Sequence, residues 1–239
     1  MDMSASKKYY KFGDLLKFPV DNENLPIVIN PDNDDPQTSL AIWPCAKVLS
    51  LLFYQDLINF DEFYERQIEN QEILKILDFG SGQSPLVSII LDKIMTKKSA
   101  KSTDPTKKFN YQIEKYDKIA NSKHNVKRFD FTDFENLKLN FSSNDFSYII
   151  CSDLFYDEAN FDYILAALKF ICKESSFGKC KVICAVEIRE VTLDVILEGY
   201  FARWGVEMVE VVFEVNGSIG FEFLQLFYLQ IYDFLGFLT

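Results

Sequence analysis

Apolar and polar positions along this chain fall into short blocks whose period switches repeatedly. ILKILDF at 73–79 is a brief apolar run of strand type, and SPLVSIILDKIM at 84–95 follows with helical spacing. FNYQIE at 109–114 predicts a second strand, KYDKIANSKHN at 115–125 at most a short helix, and VKRFDF at 126–131 a third strand. FSYIICSD at 146–153 reads as a continuous, buried fourth strand. DEANFDYILAALKFICKE at 157–174 is a helix that gathers Phe161, Ile164, Leu165 and Leu168 on one face. KVICAVEI at 181–188 predicts a fifth strand and TLDVILEGYFARWG at 192–205 a further helix. VEMVEVVF at 206–213 and FEFLQLFYLQIY at 221–232 are two strands with no helix between them.

Strand–helix alternation implies a parallel sheet with helices on both faces. The expected fold is therefore α/β, doubly wound and Rossmann-like, with seven strands and a C-terminal β-hairpin. Upstream, 42–60 predicts a helix that starts at Pro44, since proline suits the first helical position. Val48, Leu49, Leu51, Leu52, Phe53, Leu57 and Ile58 form its apolar stripe. Residues 1–40, with DNENLPIVINPDNDDPQ at 21–37, read as an irregular N-terminal extension, and 41–239 as one domain.

Composition narrows the partners. The chain has 239 residues, 48% of them hydrophobic, enough for a single large core. A formal net charge of −11 repels phosphate backbones, so nucleic acid is not an expected partner, whereas basic proteins are. The five cysteines contain no CxxC; Cys180 and Cys184 are read as one face of a strand, in a reducing compartment. A single histidine, His124, leaves no Ser-His-Asp triad and no multi-histidine metal site, so no metal is expected. No apolar signal core opens the chain, and polar residues interrupt the apolar stretch at 220–238, so no membrane partner is expected and the setting is cytosol or nucleus.

The candidate chemistry starts at ILDFGSGQSPL, 76–86. A dinucleotide loop has G-x-G-x-x-G, but here Pro85 stands in the third glycine's place, after Gly80, Ser81, Gly82, Gln83 and Ser84. Proline offers no N–H to a phosphate, while the two glycines still let the backbone approach a ligand closely. The loop therefore suits a nucleoside without a diphosphate, such as S-adenosylmethionine, and disfavours an NAD-dependent oxidoreductase. Ser84 can cap the following helix. Asp78 ends the first strand and can balance a ligand ammonium. Glu114 is read as the end of the second strand, where an acid accepts ribose hydroxyls. Asp117 is its rival; Glu114 is preferred because it leaves about ten residues for a helix before strand three, within the lengths usual for helices. Strand four ends in Ser152-Asp153-Leu154-Phe155-Tyr156, a carboxylate and a phenol at the same edge. The alternative is that Asp153 caps the next helix while Phe155 or Tyr156 packs.

IWPCAKVLS, ILDFGSGQSPL, the DLFY of SDLFYDEANFDYILAAL and VEIRE, in this order, resemble the seven-strand protein methyltransferases of the methyltransferase-like lysine group. The resemblance covers roughly residues 40–235. It implies that Trp43, the Gly80-Ser81-Gly82 turn, Glu114 and Ser152 contact S-adenosylmethionine. It also implies that Phe131, where the family usually has tryptophan, lies beside the adenine with Asp130 next to it. Asp153 and Tyr156 match the motif associated with the target side chain and methyl transfer. The expected function is protein-lysine N-methylation, with a protein as partner. The WPC start and the serine-proline loop are similar to a branch to which histone-arginine methylation is assigned. Arginine therefore stands as the alternative acceptor, beside a small molecule. A catalytically silent interaction module is the remaining alternative, against which the glycine turn and DLFY argue.

Overall fold

The computed structural model describes residues 8–12, 43–54, 56, 58, 60, 73–82, 85–101, 110–117, 125–141, 145–174, 180–187, 191–215 and 223–231. In chain order its elements are β1 Lys8–Phe12, α1 Pro44–Tyr54, β2 Leu74–Phe79, α2 Leu86–Lys101, β3 Tyr111–Asp117, β4 Val126–Arg128, α3 Phe134–Phe141, β5 Tyr148–Ser152, a 3-10 turn Glu158–Asn160, α4 Phe161–Glu174, β6 Lys181–Glu187, α5 Val191–Arg203, β7 Val206–Val215 and β8 Phe223–Ile231. The architecture is α/β and Rossmann-like. The chain forms two compact units, Leu15–Phe129 and Met1–Asp14 with Asp130–Thr239.

In the Leu15–Phe129 unit, β2 and β3 run parallel from Leu74↔Tyr111 to Phe79↔Tyr116, joined through α2. β4 continues the parallel set from Lys115↔Val126 to Asp117↔Arg128. α1 starts at Pro44 as expected: the Trp43 carbonyl accepts from the N–H groups of Ala46 (3.1 Å) and Lys47 (3.4 Å). α1 packs on α2, burying Val48, Leu49, Leu52, Leu91 and Met95. Each such side chain contributes about 1.5–3 kcal/mol by leaving water.

In the other unit, β5 and β6 run parallel from Tyr148↔Lys181 to Ser152↔Ala185, joined through α4. β8 pairs antiparallel with both β6 and β7. Phe161, Ile164, Leu165 and Leu168 of α4 are all fully buried, as their spacing predicts.

Four expectations change. Residues 8–12, read as part of an irregular extension, form β1 and pair parallel with β7, Lys8↔Val211 to Phe12↔Val215. The rest of the expected extension, and its boundary at 40/41, lie outside the described residues. Lys115, Tyr116 and Asp117, read as the start of a short helix, extend β3 because Tyr116 is a buried core position of the strand. α3 was not expected; Asp133 caps it by accepting from the Asn136 N–H at 3.1 Å, and Leu137 and Phe141 bury its inner side. Cys180 precedes β6 rather than lying within it, and Cys184 is buried in the strand.

Candidate functional site

In the Leu15–Phe129 unit the chain leaves β2 through Gly80 and Gly82, with φ of 77° and 67°. Both lie in the left-handed region that glycine enters at little cost. The turn is pinned to the end of β3. The N–H groups of Gly80 and Ser81 donate to the Tyr116 carbonyl at 2.9 and 3.1 Å. Gly82 N–H donates to Asp117 Oδ2 at 3.1 Å. Phe129 supports this corner, its ring 5.4 Å from Phe79 and 6.2 Å, edge-on, from Tyr116. The turn then enters α2, whose first carbonyl acceptor is Pro85, taking the Ile89 N–H at 3.0 Å. Ser84, the expected cap, lies outside the described residues.

Asp78 sits beneath this turn and is 1% exposed. Ser88 Oγ donates to its Oδ2, while Oδ1 is buried with no hydrogen-bond partner. Burial pushes the Asp78 carboxyl up from 3.8 to about 6; the Ser88 hydrogen bonds and Lys115 oppose that rise and Asp117 adds to it. A raised carboxyl favours the folded state below its unfolded pKa and loses that contribution as pH climbs through the folded value. The stabilisation is thus complete below pH 3.8 and gone above about pH 6. Two pH units correspond to roughly 3 kcal/mol. Asp78→Asn, neutral at every pH, is expected to melt above the wild type at pH 7.5 and to match it near pH 4. Thermal unfolding across that range is the measurement, and parallel curves would remove Asp78 as the titrating group.

Glu114 does not end its strand. It lies three residues before the end of β3, opposite Leu77 in β2. Its Oε2 accepts from Lys127 Nζ at 2.8 Å and Tyr116 Oη at 3.0 Å, and its Oε1 from Gln112 Nε2 at 3.0 Å. Asp117 holds the strand end instead, bonded to the glycine turn. Trp43 is half-buried at the start of α1. Within this unit, hydrogen bonds join the glycine turn to Asp117, with Asp78 at the end of the strand that feeds it; Glu114 belongs to a separate cluster.

In the other unit, Asp130 accepts from both Thr132 N (3.0 Å) and Thr132 Oγ1 (2.7 Å), a local turn that leads half-buried Phe131 toward α3. Ser152 ends β5. Asp153 then turns the chain out of the sheet with φ 56°, a conformation few non-glycine residues adopt. Its N–H extends the ladder to Ala185 O at 2.7 Å, and its Oδ1 accepts the Glu187 N–H at 3.3 Å. The carboxylate is 5% exposed and ties the ends of β5 and β6 together. The alternative in which Asp153 caps the next helix does not hold, because Asp157 takes that place and accepts the Ala159 N–H at 3.1 Å. Phe155 is fully buried, whereas Tyr156 is 51% exposed. Arg189, in the VEIRE stretch, lies outside the described residues. Among the described residues no helix is long and apolar enough to cross a membrane, and no group of three His, Cys, Asp or Glu side chains could hold a metal ion.

A family profile described as lysine methyltransferase matches residues 21–198. No curated protein matches the chain. Among solved structures it is similar to a TehB-like S-adenosylmethionine-dependent methyltransferase from Corynebacterium glutamicum, at 18% identity over 76% of this chain and 97% of that one, with a TM-score of 0.40. It is also similar to human methyltransferase 10 domain containing protein, at 13% identity over 77% and 83%, TM-score 0.41. A third is the methyltransferase domain of METTL16, at 12% identity over 79% and 80%, TM-score 0.43.

Proposed function

Because this chain belongs to the lysine methyltransferase family and is an S-adenosylmethionine-dependent methyltransferase, we propose that it methylates the side-chain amine of a protein lysine. The observation that carries the site assignment is the orphaned, buried Asp78 Oδ1 beside a turn of two left-handed glycines. These residues fit the cofactor. A buried acid lacking a partner suits its ammonium, and a turn with little side-chain bulk admits its backbone-hugging tail. The bound cofactor supplies an electrophilic methyl group on a sulfonium.

The chain's own residues divide the remaining work. Gly80, Ser81 and Gly82 hold the amino-acid end, and Asp78 offsets its positive charge. Asp117, rather than Glu114, accepts the ribose hydroxyls, since it ends β3 and already orders the turn. Trp43, Asp130, Phe131 and Ser152 complete the cofactor contacts, Phe131 by stacking on the adenine. Asp153 orients the incoming lysine and accepts its proton, directly or through water. Tyr156 forms one wall of the lysine channel, with a cation–π contribution of about 0.5–2 kcal/mol.

Asp117→Asn keeps an acceptor for Gly82 but loses the charge. It is expected to weaken S-adenosylmethionine binding by about 10–100-fold in calorimetry, the size of a charged hydrogen bond. Glu114→Gln is expected to stay within about threefold of wild type, as for an ion pair whose lysine is open to solvent although its acid is only 13% exposed. The reverse ranking would return the ribose to Glu114. The acceptor is tested by incubating the protein with tritiated cofactor and cell extract, then locating the label by mass spectrometry. Methyl-lysine in a protein band is expected; methyl-arginine, or label only in small molecules, overturns the assignment.

A further inference from the structure

Tyr156 is half exposed, yet the chain on both sides of it, at Phe155 and at Glu158, is anchored by the same distant helix. On one side, the Phe155 ring meets Phe161 edge-on at 5.4 Å and Phe201 at 5.5 Å and 90°. On the other, Glu158 Oε1 accepts the Tyr200 hydroxyl at 3.2 Å. The Tyr200 ring in turn packs edge-on against Phe161 at 5.3 Å and lies 4.3 Å beneath the Arg203 guanidinium. Arg203 is itself fixed by Asp162 at 2.6 Å, and Trp204 Nε1 donates to the same oxygen at 2.7 Å.

The acids that follow Tyr156 invite a different reading, as a strip that docks basic substrate. Their bonding argues otherwise. Asp157 is taken up by Ala159 N–H and Asn160 Nδ2, Glu158 by Tyr200, and Asp162 by Arg203 and Trp204. The last turn of α5 thus closes on the segment before and after Tyr156 and uses its charges internally.

We propose that Tyr200 is a positioning residue that, with Phe201, fixes the Tyr156 phenol by bracing its two flanks, Tyr200 through Glu158 and Phe161, and Phe201 through Phe155. The inference rests on the reading that Tyr156 faces the acceptor amine. Tyr200 touches neither cofactor nor acceptor in this role; it acts through the loop 153–158. Aromatic edge contacts hold Phe155, and the single hydroxyl bond holds Glu158, so the two halves of the brace can be removed separately.

The test compares Tyr200→Ala, Tyr200→Phe, Tyr156→Ala and the Tyr156→Ala/Tyr200→Ala double variant. Amide hydrogen exchange over residues 153–160, calorimetric affinity for S-adenosylmethionine, and tritium transfer into extract protein are read for each. Tyr200→Ala is expected to speed exchange in 153–160 about tenfold, by local opening. It should slow transfer about tenfold and keep cofactor affinity within about twofold, as a loss of acceptor positioning does. Tyr200→Phe, which lacks only the hydroxyl, should lose about threefold, the scale of one neutral hydrogen bond. In the Tyr156→Ala background the Tyr200 change should cost nothing further, because the two act as one unit. Additive losses, unchanged exchange in 153–160, or a loss of cofactor affinity as large as the loss of rate would overturn the proposal. Should Tyr200→Ala not fold, Tyr200→Phe and Glu158→Gln carry the same comparison. If the wild type labels no protein, the protein-acceptor reading fails by itself, and exchange confined to 153–160 still decides whether the brace exists.

Discussion

Asp153→Asn is expected to reduce methyl transfer at least about a hundredfold while leaving the affinity for S-adenosylmethionine within a few-fold, the range lost when a positioned acid–base group is removed. Asparagine tolerates the left-handed conformation at φ 56° and keeps an oxygen for the Glu187 N–H, so the joint between β5 and β6 survives. What disappears is the charge and the capacity to take a proton. That matters because at pH 7 only roughly one free lysine amine in a few thousand is neutral. The carboxylate also stabilises the ammonium, which works against reaction. In the proposed role its value therefore lies in orientation and proton acceptance. Asp153→Ala should lose as much activity and additionally unfold at lower temperature, since the Glu187 N–H is then deprived of its acceptor. Single-turnover transfer beside calorimetry separates the two effects. Full activity in the asparagine variant would take Asp153 out of the chemistry and leave it a strand tie.

Gly80→Arg is expected to abolish measurable cofactor binding, a loss of more than about a hundredfold, or roughly 3 kcal/mol. Two costs combine. A side chain at φ 77° is strained by about 1–3 kcal/mol whatever its size. The arginine side chain also fills space next to a backbone that the ligand must approach closely. Gly80→Ala isolates the first cost, which falls on the free and the bound protein alike, so it should lower the melting temperature while leaving cofactor affinity within about threefold. Circular dichroism and the melting temperature show whether the Tyr116 carbonyl still holds the turn. Unaltered calorimetric affinity in a folded Gly80→Arg protein would move the cofactor away from this loop.

The elements legible in the sequence are those whose signal is local. Proline at 44 starts α1, and the spacing of Phe161, Ile164, Leu165 and Leu168 gives the buried side of α4. Gly80 and Gly82 show a turn by composition alone, and both occupy the left-handed region. The elements that escaped depend on distant partners. Lys115 and Asp117 look like turn residues until Tyr116 is seen to be buried and Glu114 to be satisfied by Lys127 on the neighbouring strand. That single misplaced strand end made Glu114 rather than Asp117 the preferred ribose acid. β1 is recognisable only through β7, some two hundred residues away along the chain. α3 is eight residues long with two buried positions, too short for its period to stand out. Asp153 was legible as an acid at the end of β5, but its bond to the Glu187 N–H, 34 residues on, was not. The contacts of α5 with Phe155 and Glu158 escaped for the same reason.

The unsatisfied oxygen of Asp78 has a consequence for turnover. The spent cofactor keeps the same amino-acid end as the fresh one, so an acid that welcomes that end cannot tell them apart. Such an interaction lowers the energy of reactant and product complexes alike and leaves the barrier between them untouched. In the proposed role Asp78 therefore adds equally to the affinities for the methylated and the demethylated cofactor, and discrimination between them falls to whatever faces the sulfur.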